Sequence, residues 1–322
     1  MPDFRPLVRN PHLQTILAHY WKRPDSDGHF PIQRRLFRTA PNVQVLVQSQ
    51  RPSGEPRGEI VMVHGLEGSG DAGYMRSLSH AALRAGYAAH RFHMRTCGGT
   101  EALCTTLYHA GLTSDLVEVL RTLRAEGRPP VFLVGFSLGG NVVLKLAGEF
   151  GDAARDLVCG VVAASTPLDL AACARRIADP DNHFYEARFV RRMRARLCAT
   201  GRYRPEEFAG IDTVIGLDDR FTAPSFGFGN AGNYYRTQSS IRFLAGIRVP
   251  ALVIQAKDDT FIPFAIYEGP EVRNNPRLQL VITEYGGHLG FLGRRPHRFW
   301  LDDAIMEWIE TATVNRLRSR AS

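Results

Sequence analysis

The chain has 322 residues, more than a usual single domain but not enough to require two independent folds, so one large α/β domain with an insertion is expected. Hydrophobic residues make up 44% and charged residues 22%, which argues against a disordered, fibrous or coiled-coil protein. The net charge of +8 keeps nucleic acid or an anionic membrane open as partners, and only Lys22, Lys145 and Lys257 of the 40 basic residues are lysine, so the placement of the arginines decides.

Met1 to Pro6 contains no apolar stretch of the signal-peptide kind, and nowhere do 18 apolar residues run together. The expectation is a soluble, cytoplasmic protein without an integral membrane span. Cys97, Cys104, Cys159, Cys173 and Cys198 form no C-x-x-C pair and read as reduced structural thiols.

From Val43 onward short β-branched runs alternate with helical patterns, the sign of a mostly parallel sheet with crossover helices. Strands are predicted at Val43 to Gln48, Glu59 to Val63, Ala88 to Phe92, Val131 to Val134, Val158 to Ala163, Ala251 to Gln255 and Leu278 to Thr283. Helices are predicted at Tyr74 to Ala85, at Asp115 to Arg124 with Ser114 as N-cap, and at Phe299 to Glu310. Between about Thr166 and Arg236 the alternation stops. The expected organisation is a core over 1–165 and 237–322, with 1–40 as an extension packed on it, and an inserted cap over 166–236.

Chemistry enters at Gly135-Phe136-Ser137-Leu138-Gly139, which follows a strand and opens a helix. Strand, sharp turn and helix around G-x-S-x-G is the context of a nucleophile elbow, and it strengthens a weak pentapeptide signal. A serine hydroxyl needs a base and an acid that orients that base. The strand at Ala251 empties into Asp258-Asp259, and the next strand into Gly286-Gly287-His288. Asp259 and His288 are therefore taken as acid and base, with Asp258 as a loop-capping acceptor. The oxyanion donors are expected to be the amides of Leu138 and of Leu66, in His64-Gly65-Leu66-Glu67-Gly68-Ser69. His64 itself reads as a structural hydrogen-bonding residue.

Other features carry less. His90 and His93 lie three apart on a strand and face opposite sides, no zinc, P-loop or dinucleotide spacing follows a strand, and neither cofactor nor metal is expected. Seven arginines and no acid lie between Arg188 and Arg204, interleaved with Phe189, Val190, Met193 and Leu197. This reads as the solvated face of an amphipathic cap helix, with weak peripheral contact to anionic membrane as the second reading. Leu66, Phe136, Phe226, Phe228, Tyr234 and Tyr235 are candidate lining of an acyl pocket.

Several blocks are more specific than G-x-S-x-G: Asn10-Pro11-His12-Leu13-Gln14-Thr15, His64 to Ser69, Arg95-Thr96-Cys97-Gly98-Gly99, Tyr108-His109-Ala110-Gly111-Leu112-Thr113-Ser114-Asp115, and Gly135 to Asn141. By these the chain resembles, over nearly its whole length, the AB-hydrolase-4 (YheT-like) group of α/β-hydrolases. The resemblance implies the α/β-hydrolase fold, a triad on Ser137, Asp259 and His288, and carboxylic ester hydrolysis, with acylglycerol, phospholipid or alcohol acyl-transfer activity in some branches. The expected function is a serine-dependent hydrolase of short- to medium-chain acyl esters or acylglycerol-type lipids. An alcohol acyltransferase with the same triad and a non-catalytic anionic-lipid-binding module are the alternatives. A nucleic-acid partner is not expected.

Overall fold

A computed structural model describes residues 1–128 and 131–321. Eight strands form one sheet: β1 (Gln33–Ala40), β2 (Val43–Gln50), β3 (Glu59–Val63), β4 (Ala88–Phe92), β5 (Val131–Phe136), β6 (Gly160–Ala164), β7 (Ala251–Ala256) and β8 (Leu278–Thr283). Their spatial order is β1-β2-β4-β3-β5-β6-β7-β8. The hairpin β1–β2 and the pair β2–β4 are antiparallel, and every pair from β4 to β8 is parallel.

The parallel strands are apolar along their length because both faces are covered. On β3, β5, β6 and β7 alternate side chains divide between two clusters. Val61, Val63, Leu133, Val161 and Val253 face one side, while Ile60, Met62, Phe132, Val134, Val162 and Leu252 face the other. Helices α3 (Ser114–Ala125) and α4 (Leu138–Phe150) cover the first face with Leu116, Leu120, Val143 and Leu146. Helix α2 (Gly73–Arg84) and the C-terminal helix Trp300–Ala321 cover the second with Met75, Leu78, Trp300 and Ile305.

Two elements were not anticipated. Strand β1 has only Phe37 buried among mostly exposed residues, because it is an edge strand whose register with β2 supplies its partners. Helix α1 (Pro11–Tyr20) begins on Asn10, whose side chain accepts from Leu13 N–H at 3.0 Å. Ser114 is the first residue of α3 and not its cap; Thr113 holds that position without a side-chain bond. The last helix starts at Trp300 and runs past Glu310, with Trp300, Ile305, Trp308 and Ile309 packed on the core.

Between β6 and β7 come α5 (Leu170–Ile177), α6 (His183–Ala199), α7 (Val214–Leu217), α8 (Ala223–Ser225) and α9 (Ala231–Gln238). Short α10 (Pro270–Arg273) precedes β8, and the C-terminal helix is α11. Among the described residues no helix is long and apolar enough to cross a membrane.

Candidate active site

Ser137 sits between the last residue of β5 and the first of α4, with φ 53° and ψ −120°. A non-glycine residue in that region is strained. Its amide donates to Ala164 O at 2.8 Å, which fixes the turn against β6. The flanking glycines are required by close approach: a Cβ on Gly135 would meet Gly139 O at 2.2 Å, and one on Gly139 would meet Val63 O at 2.3 Å. Sequence and packing thus agree on lifting the hydroxyl above the carboxyl edge of the sheet.

At that edge the Ser137 hydroxyl lies 2.9 Å from His288 Nε2, and His288 Nδ1 lies 3.1 and 3.0 Å from the two carboxylate oxygens of Asp259. Asp259 is buried and accepts further from Phe261 N–H, Ile262 N–H and Gln255 Nε2. These donors satisfy a carboxylate that would be costly to bury alone. Asp258 accepts from Gly287 N–H at 2.9 Å, so it braces the histidine loop from outside the line. The three residues selected from the sequence are brought together.

Leu66 belongs to a loop pressed against the serine, since a Cβ on Gly65 would lie 3.0 Å from Ser137 Cβ. The neighbouring amides are engaged: Gly65 N–H donates to the Tyr74 hydroxyl, Glu67 N–H to the Tyr108 hydroxyl and Gly68 N–H to Gly65 O. Among the described residues the amides of Leu66 and Leu138 have no acceptor of their own. His64 is fully buried, donates from Nδ1 to Gly65 O at 2.8 Å and accepts Met94 N–H on Nε2 at 3.1 Å. Burial holds its pKa down at about 3, so it stays neutral and shapes this loop.

A mostly apolar cavity, partly open to solvent, reaches Ser137 and His288. Leu66, Tyr234 and Tyr235 line it as expected, together with Leu170, Phe189, Met193 and Phe261. Phe136 does not: its position in the β5 alternation sends it into the opposite core, against Tyr74. Phe226 and Phe228 do not line it either and pack instead around the buried His109 ring, at 4.5 and 5.2 Å.

Several contributors escaped sequence reasoning. Arg196, expected on a solvated face, is buried and lines the cavity. Its Nε donates to both Glu67 oxygens at 2.8 and 3.0 Å, its Nη1 to Thr96 Oγ1 at 3.0 Å, and its guanidinium lies 4.6 Å from the Tyr108 ring centroid. The stretch follows the expected apolar stripe at Val190, Met193 and Leu197, and Arg196 turns inward because Glu67 gives it a buried counter-charge. Asp218 also lines the cavity, and burial pushes its pKa up to about 6 although the Tyr235 hydroxyl donates to it at 2.7 Å. From α1, Thr15 Oγ1 accepts His288 N–H at 2.9 Å, while buried Gln14 bonds Leu292 N–H and Leu292 O. The Asn-Pro-His-Leu-Gln-Thr block held this signal, but no spacing rule connects residue 15 to residue 288.

His90 and His93 do not converge. His90 Nε2 meets Glu59 at 2.5 Å, whereas His93, just past β4, accepts from Gly70 N–H. Among the described residues no group of three or more His, Cys, Asp or Glu is placed to hold a metal ion. The cysteines are all free thiols, and burial raises the pKa of Cys97 and Cys173.

Parallel strands, a strained serine on the strand-to-helix turn and acid and histidine on later loops define an α/β hydrolase. The chain belongs to the α/β hydrolase family, whose model matches residues 60–300. Within it the chain goes with the YheT-like group: it is 32% identical, over 94% of its own length and 91% of the other, to YheT of Escherichia coli (strain K12), which is named as a provisional esterase. It is 26% identical to a mouse protein named phospholipase ABHD3, over 98% of this chain and 81% of that one. The fold is similar to the Pyrococcus furiosus esterase Pf2001, with a TM-score of 0.60 at 17% identity over 90% of this chain and 98% of that one.

Proposed function

We propose that this protein is a serine-dependent carboxylic ester hydrolase acting on short- to medium-chain acyl esters or acylglycerol-type lipids. The observation that carries the reading is the continuous line from the Ser137 hydroxyl through His288 to Asp259 at the wall of an apolar cavity. The relatives named as esterase and phospholipase support the class of substrate.

In this reading Ser137 Oγ attacks the acyl carbonyl while His288 Nε2 takes its proton. Asp259 holds Nδ1–H and stabilises the imidazolium. The Leu66 and Leu138 amides donate to the oxyanion that forms, and His288 then returns the proton to the leaving alcohol. Water, deprotonated by the same histidine, releases the acid and restores the serine. Residues 166–236 act as the cap, placing Phe189 and Met193 along the acyl group. The cap's positive charge offers a peripheral attraction to anionic lipid.

Ser137→Ala should lose at least about 10³-fold in turnover of a nitrophenyl ester. A fluorophosphonate probe should label Ser137 in the wild type and leave the variant unmarked. Near wild-type turnover by the variant would remove the serine from the mechanism.

A further inference from the structure

The cap arginines and the unanticipated helix α1 meet on one outer face. Leu13, Ile16 and Tyr20 recur at helical spacing along the side of α1 opposite buried Gln14 and Ala18, and all three are exposed, Tyr20 by 73%. Trp21 continues the stripe, and Phe184 at the start of α6 is 82% exposed. The two helices touch: His12 Nδ1 lies 3.2 Å from the Tyr185 hydroxyl, and Arg188 donates to His19 at 3.0 Å. An apolar stripe of this size is more than scattered surface hydrophobes.

Charge says what would cover it. Of the seven arginines in the cap stretch, Arg194 pairs with Asp212, Arg196 with Glu67, and Arg202 donates to Thr105 O. Among the described residues Arg188 meets only His19, and Arg191 and Arg192 meet no carboxylate. The acids beside them are engaged, Asp179 and Asp181 by Arg176 and buried Glu186 by Val214 N–H. Aromatic and aliphatic side chains rimmed by free arginines match the headgroup boundary of an anionic bilayer. The face also adjoins the site: Tyr185 packs on Phe261 at 4.8 Å, Phe261 on His288 at 4.6 Å, and Thr15 of α1 accepts the His288 amide.

We infer that α1 and the first turns of α6 form a docking surface for an anionic phospholipid bilayer, which presents lipid esters to the cavity. This gives the lipid-ester reading a delivery route and rests on it for purpose, but its test does not depend on turnover.

Flotation with phosphatidylcholine vesicles, with and without phosphatidylglycerol, should show salt-sensitive binding to the anionic vesicles by wild type and by Ser137→Ala alike. Trp300 and Trp308 are buried, so a blue shift of emission on binding reports Trp21. Arg191→Gln with Arg192→Gln should weaken binding roughly thirtyfold. Leu13→Ser with Ile16→Ser and Tyr20→Ser should abolish the shift, and both variant sets should hydrolyse a soluble nitrophenyl ester at the wild-type rate. No binding to anionic vesicles, or binding unchanged in both variant sets, overturns the surface. So does a concentration-dependent dimer that the same substitutions disperse without vesicle binding. Vesicle binding with no ester turnover in any form would leave the surface standing and sink the hydrolase reading.

Discussion

Asp218 is a buried carboxyl in an environment unlike that of Asp259. Asp259 has several donors and a histidine, whereas Asp218 is buried with its pKa raised to about 6 from an ordinary 3.8, burial being the largest cause. A raised carboxyl pKa means that the native state holds its proton longer than the unfolded chain. Its stabilising contribution is whole below pH 3.8 and is lost as pH rises through about 6. Asp218→Asn should therefore match wild type near pH 4 and exceed it above pH 6, by about 1–3 kcal/mol. Thermal melts across that range check it, and a constant difference between the two proteins would contradict it. In the sequence Asp218 was an unremarkable acid in the insertion. Ser137, Asp259 and His288 were legible because strand endings and chain order fix which side chains reach one edge of a parallel sheet.

For individual elements the sequence was a good guide where both faces are buried and a poor one elsewhere. Strands β3, β5 and β7 read as apolar runs because helices cover both sides, whereas β1 depends on pairing with β2 and shows no alternation. Helix α6 shows the limit more sharply: its apolar stripe was readable, but the inward turn of Arg196 depends on Glu67, 129 positions earlier. That pair joins α6 to the loop bearing Leu66, and Glu67 holds φ 53° there. Removing one partner strands a buried charge, so Arg196→Met alone should cost about 3–5 kcal/mol. Adding Glu67→Gln should recover much of that stability. Turnover should stay low in both, because the loop loses its anchor. Chemical denaturation beside steady-state kinetics separates the two effects; full activity in the double variant would show that the pair serves stability alone.

The whole molecule carries a set of histidines that folding keeps neutral. His64 and His109 have pKa values lowered to about 3 and His93 to about 4, chiefly by burial. A lowered histidine pKa gives stability that is present above about 6.5 and lost as pH falls towards the folded value. Asp218 and Asp302, both raised to about 6, act in the opposite sense between 3.8 and 6. Three groups against two, with the histidines acting alone between pH 6 and 6.5, give a net loss on acidification. Tm should fall between pH 7 and pH 5, and a flat profile would show that these histidines are accessible to protons. The net charge of +8, ambiguous in the sequence, resolves in the same way by position: Arg194 and Arg196 of α6 are paired with Asp212 and Glu67, and Arg188 faces α1.

The bond from His288 N–H to Thr15 spans 273 positions, and Gln14 holds Leu292 across 278. Both bonds tie α1, which is synthesised first, to a loop synthesised near the end, whereas the loop's other ties, Gly287 N–H to Asp258 and Leu289 N–H to Ser165, lie within the body of the chain. A chain that stops short of residue 288 lacks the proposed base, and one that lacks α1 keeps the base but loses the acceptor of its amide. In the proposed mechanism, hydrolytic competence is therefore gained late in synthesis and needs both ends of the chain.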